Sequence, residues 1–137
     1  MKRILFFALI ITGFSTSCSI EDDSSVNFFN EFMAIESVDV PDEFILGEVH
    51  QIALTYSIPN DCYTFNSILF DVNGVERTVA VVNTVYTNID CNEVTEPVTV
   101  SFDFEVASSD THVFKFYQGT DSQGQDQYLF VEVPVVE

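Results

Sequence analysis

Val98-Thr99-Val100-Ser101-Phe102-Asp103-Phe104-Glu105-Val106 alternates apolar and polar side chains without interruption. With a two-residue period, a β-strand is the conformation that puts the five apolar side chains on a core and the four between them in water. Ile52, Leu54, Tyr56 and Ile58 alternate in the same way until Pro59-Asn60-Asp61 stops the run. Working outward from these two anchors, the same pattern predicts strands near residues 33–40, 65–72, 75–86, 113–118 and 128–135. No segment between them reads as a capped amphipathic helix.

The connections carry their own chemistry. Asn73-Gly74 predicts a tight hairpin between strands 65–72 and 75–86, because primed turns need positive φ, which Asn and Gly tolerate. Gly119-Thr120-Asp121-Ser122-Gln123-Gly124-Gln125-Asp126-Gln127 predicts a longer reversal before the last strand. About seven short strands over residues 33–137 resemble a single immunoglobulin-like antiparallel β-sandwich, with an open barrel as the alternative. The chain has no Trp to supply the buried indole of true immunoglobulin domains. The resemblance implies a fold and no activity.

At the N-terminus, Lys2 and Arg3 precede an apolar run over residues 4–14. That run is too short to cross a hydrocarbon layer, which takes about 20 residues, and has the form of an export signal. Ser15-Thr16-Ser17-Cys18 follows, and it resembles the looser lipobox of Bacteroidota lipoproteins, with Ser15 where the common bacterial pattern has Leu. The resemblance implies a signal peptide over residues 1–17 and a lipid-modified Cys18 as first residue of the mature chain. It also implies attachment to the outer membrane. The acidic run Glu21-Asp22-Asp23 is similar to the stretch that marks surface-exposed lipoproteins, with a periplasm-facing domain as the alternative. Residues 18–32 are expected to form an acidic tether.

Charge narrows the partners. Removal of Lys2 and Arg3 leaves Arg77 and Lys115 against 22 acidic residues, a formal charge of about −20. Nucleic acid is excluded, since its affinity comes from cations that neutralise phosphates. Anionic headgroups are repelled for the same reason, so the bilayer is to be held through the lipid on Cys18. A content of 47% hydrophobic and 14% aromatic residues separates the chain from disordered acidic segments.

Three cysteines leave one over when two pair, and lipidation removes Cys18 from the pool. Export to an oxidising compartment then predicts a Cys62–Cys91 disulfide stapling two turn-like segments. No Gly-x-Ser-x-Gly, His-Glu-x-x-His or phosphate-binding glycine loop is present, and His50 and His112 stand in strand-like sequence without a nucleophile beside them. No catalytic residue, metal or cofactor is therefore expected. Calcium at the Asp121–Asp126 turn is the minor alternative to a plain polar loop, since the spacing of an EF-hand is absent.

The remaining candidate is a surface. If Phe114 and Phe116 face the core, Lys115 and Tyr117 face outward; if Leu129 and Val131 face in, Tyr128 and Phe130 face out. Lys115, Tyr117, Tyr128 and Phe130 then form a candidate aromatic binding patch. Its competing account is that the segment carrying Phe28, Phe29 and Phe32 covers this face. The expected function is a non-enzymatic, lipid-anchored envelope module binding a protein or glycan or serving a larger complex. A protease inhibitor presenting residues 87–97 or 119–127 is the alternative, and a small hydrolase ranks last.

Overall fold

The computed structural model describes residues 25–137. The expected signal peptide, the lipidation site Cys18 and the acidic run Glu21-Asp22-Asp23 lie outside the described residues. Among the described residues the chain is all-β, with open sheets packed on one another. The strands are β1 (Phe28–Met33), β2 (Ile35–Asp39), β3 (Phe44–Ile45), β4 (Val49–Tyr56), β5 (Tyr63–Asn73), β6 (Glu76–Tyr86), β7 (Val98–Glu105), β8 (His112–Thr120), β9 (Asp126–Val133) and β10 (Val135–Val136). Every segment expected to be a strand is one, and β1, β3 and β10 are additional.

The larger sheet has five strands and is organised by β6. One edge of β6 pairs antiparallel with β5 along nearly its whole length. Its other edge is shared: Glu76 to Val79 pair with β8, and Val81 to Tyr86 pair with β1. β9 closes the sheet beyond β8. The second sheet runs β2-β4-β7, all antiparallel, and a short β3–β10 pair lies apart from both.

Two pairings depart from the antiparallel arrangement expected from sequence: β6 with β8 and β3 with β10 are parallel. Parallel neighbours need a crossover connection, and β7 provides it by passing through the opposite sheet between β6 and β8. Alternation reports which face a residue lies on and carries no information about strand direction.

Residues 28–32, expected to belong to the tether, are part of a strand. Phe28–Met33 is a strand because the second half of β6 offers a free row of backbone donors and acceptors, and the ladder from Phe28–Tyr86 to Met33–Val81 satisfies them. The β5–β6 hairpin forms as expected, one residue later than its motif suggests. Asn73 pairs with Glu76, leaving Gly74 at φ +61° and Val75 as the two loop residues.

Inner faces meet in one core. Val79 and Val81 of β6 and Phe114 and Phe116 of β8 pack with Ile52, Leu54 and Tyr56 of β4 and Phe104 of β7, all buried. Full burial of side chains of this size contributes about 1.5–3 kcal/mol each. Gly119 lies where the β8–β9 register shifts, at φ +89°, and a Cβ there would stand 3.3 Å from that of Ala34. Gly119→Ala is expected to cost about 1–2 kcal/mol, read as a lowered urea midpoint, since a left-handed backbone and a close contact penalise the same methyl.

Candidate functional site

The last hairpin directs its side chains as alternation requires. Phe114 and Phe116 are buried, while Lys115 faces Phe130 and Tyr117 faces Tyr128 across the β8–β9 ladder on the outer face. Tyr117 and Tyr128 meet edge to face at 6.0 Å between ring centroids. Lys115 Nζ stands 4.6 Å from the Tyr128 centroid and 5.8 Å from that of Phe130, and 3.4 Å from Glu76 Oε1. The ammonium is thus held over the aromatic surface by a neighbouring carboxylate, an arrangement in which each contact is worth about 0.5–1 kcal/mol. Desolvation raises the Tyr117 pKa, with Asp126, Tyr128 and Glu31 adding to the effect, so its hydroxyl stays protonated and able to donate.

β1 widens this surface. It lies edge to edge with β6 in the same sheet, and Phe32 packs edge-on against Tyr117 at 5.9 Å. Phe28 (62% exposed), Phe32 (53%) and Phe130 (60%) remain open to solvent. A depression of about 150 Å³ is bounded by Phe32, Leu69, Thr78, Ala80, Tyr117, Asp126 and Tyr128. That volume is below the 300–1,000 Å³ typical of small-molecule pockets, so the face suits a broad contact better than an enclosed ligand. Phe32 and Leu69 were not among the residues expected at the patch. Strand alternation could have pointed each outward, but only the pairing of β1 and β5 with β6 places them beside Tyr117.

The Cys62–Cys91 disulfide is present, with Cα atoms 5.5 Å apart. It braces the segment 87–97 with other bonds: Asn92 donates from its backbone N and from Nδ2 to the Asp61 carboxylate at 2.8 and 3.1 Å. These donors hold the Asp61 pKa below its ordinary value. Asp61 also adjoins the two sulfurs, but a disulfide offers no thiolate to a metal. In the 119–127 loop, Asp121 Oδ1 accepts from the backbone N–H groups of Gln123 and Gln125 at 2.8 and 2.9 Å. The carboxylate at the centre of the calcium alternative thus serves as the turn's own acceptor.

Both histidines border one aromatic cluster. Phe44 lies 5.1 Å from the His50 ring and 5.9 Å from that of His112, and Phe104 lies 5.3 Å from His112. His50 Nε2 accepts the Ile45 backbone N–H at 3.0 Å. His112 is buried and, among the described residues, its Nδ1 has no hydrogen-bond partner. Burial lowers its pKa from 6.5, Arg77 adds to the shift, and Asp110 opposes it. Because the fold disfavours the imidazolium, stability is complete above the unfolded-state value and is lost as pH falls from about 6.5 toward the folded-state value. Urea midpoints are expected to drop as pH falls below about 6.5, and His112→Leu is expected to flatten that fall.

Compared with known proteins, the chain matches no family model, no curated protein and no solved structure.

Proposed function

We propose that the chain is a non-enzymatic, lipid-anchored module of the bacterial outer membrane, of the Bacteroidota lipoprotein kind. On this reading it engages a protein or glycan partner at the cell surface through the outer face of its five-stranded sheet. The observation that carries it is the linked group of exposed Phe32 and Phe130 and half-buried Tyr117 and Tyr128, with Lys115 held among them. Soluble domains rarely leave so much aromatic surface in water without a use for it. The Ser15-Thr16-Ser17-Cys18 segment supports the anchor, and packed open sheets of short strands support an immunoglobulin-like reading, from which the parallel β6–β8 pair is a departure.

Photo-crosslinking from position 130 on intact cells, together with a glycan array probed with the purified chain, tests the reading. A specific adduct or a bound glycan, lost in Tyr117→Ser/Tyr128→Ser, is expected. The double variant should keep its thermal midpoint within about 1 kcal/mol of stability, because surface changes of this kind cost little. A variant that unfolds, or a parent that neither crosslinks nor binds, removes the proposal. Mass analysis of the membrane-extracted chain for acyl groups on Cys18 tests the anchor separately.

The alternative is a protease inhibitor. Ile89 is exposed on the 87–97 segment, which the disulfide and the Asp61–Asn92 bonds pre-organise, and rigid loops bind with less ordering cost. Titration against a protease panel decides it.

A further inference from the structure

The two packed sheets differ in width. Because β1 and β8 share one edge of β6, the larger sheet is four strands wide where β8 lies, against three in the other; the mismatch falls at β5 and β7, each of which has one unpaired edge among the described residues. Phe70 and Val72 lie on the inner face of β5, in alternation with the outward Leu69, yet they are 39% and 56% exposed. The rings of Phe102 and Phe104 reach only one side of Phe70, at 5.6 and 6.1 Å. What remains is a slot of about 400 Å³ lined by Ile68, Phe70, Phe102, Asp103, Phe104 and Glu105. One more strand, about 4.8 Å from β7, would cover the uncovered part of β5.

The lining residues state what such a strand must carry. Side chains facing inward would rest on Ile68 and Phe70 and must be apolar. Those facing outward would stand beside Asp103 and Glu105, which are exposed on the outer face of β7, so cations are favoured there and like charges disfavoured. A second copy of this chain fails that condition. Among the described residues the only Lys and Arg are Lys115 and Arg77, and both are engaged elsewhere: Lys115 with Glu76, and Arg77 through Nη1 with the backbone oxygens of Gly74 and Glu76.

We infer that the free edge of β7 accepts an extended segment of another protein, alternating apolar with basic residues, which pairs as a fourth strand of the smaller sheet and fills the slot over Phe70. Backbone pairing supplies affinity, and the alternating side chains supply register. This surface is separate from the aromatic outer face of the larger sheet.

The probe is a synthetic ten-residue peptide alternating Val and Lys, capped at both ends. Two controls accompany it: a peptide of the same composition with its lysines in one block, and one alternating Val and Glu. Calorimetry on the intact chain is expected to show the alternating Val-Lys peptide binding at least about tenfold tighter than either control. Amide exchange should slow along residues 98–105. Asp103→Lys/Glu105→Lys is expected to lose that preference by about tenfold and to gain the Val-Glu peptide. Tyr117→Ser/Tyr128→Ser should leave it unchanged, which separates failure here from failure of the outer-face reading. Equal binding of the blocked-lysine peptide, or no slowing at residues 98–105, overturns the inference.

Discussion

Replacing Cys62 and Cys91 together by serine is expected to lower the unfolding free energy by about 3.5 kcal/mol. The bond closes a loop across a sequence separation of 29 residues, and loop entropy restored to the unfolded chain sets the magnitude. For a domain of about 105 residues that amounts to a thermal midpoint lowered by roughly 15–25 °C. The native state keeps other ties at the same place: the Asn92 bonds to Asp61 and the Asn60–Glu93 bridge. They lie just outside the loop the disulfide closes and, being non-covalent, are lost on unfolding, so they do not restrict the unfolded chain. Chemical denaturation of the double variant beside the oxidised parent measures the difference. A loss below about 1 kcal/mol would show that the local hydrogen bonds, and not the covalent link, hold the 87–97 segment.

A comparable loss is expected on Phe44→Ala, about 3–5 kcal/mol by equilibrium unfolding. Phe44 is fully buried and makes ring contacts with His50, Phe104, His112 and Phe114 at 5.1–5.9 Å. Its strand is only two residues long and is secured by the C-terminus: Phe44 N–H donates to Pro134 O at 2.9 Å and Leu46 N–H to Val136 O at 3.0 Å. Truncation leaves a cavity whose walls are strands of both sheets, which limits how far it can collapse. Water entering that space would also rehydrate His112, so the acid sensitivity expected of the parent should shrink in the same variant. Phe44→Leu, which keeps most of the volume, should cost clearly less. Set against a typical total of about 5–15 kcal/mol, either change removes a large fraction of stability.

Strand positions were largely legible because a half-buried strand announces itself locally. The Val98–Val106 alternation, the Ile52–Ile58 alternation and the Asn73-Gly74 turn each became structure near the expected place, as β7, β4 and the β5–β6 hairpin. β3 and β10, two residues each, are too short to show a period. β1 was hidden differently. Phe28–Met33 follows an acidic, serine-rich stretch and has little burial of its own, so its strand character comes from the vacant half of the β6 edge. The outward direction of Lys115, Tyr117, Tyr128 and Phe130 followed from alternation alone. Phe32 joined them through the β1–β6 pairing, across dozens of residues, and Leu69 through the local β5–β6 hairpin once β6 pairs with the distant β8.

The sequence by itself determined that the chain folds as β-structure, which residues of each longer strand face inward, and that Cys62 and Cys91 are available to each other. These depend on the two-residue period and on counting. Only the tertiary structure decided the parallel placement of β8 on β6, the role of β1 in widening the aromatic face, and the unequal widths that leave Phe70 half-covered. Each of these rests on which edge meets which, and a strand's backbone donors and acceptors are the same whatever its side chains, so local sequence leaves that choice to the packing of the whole.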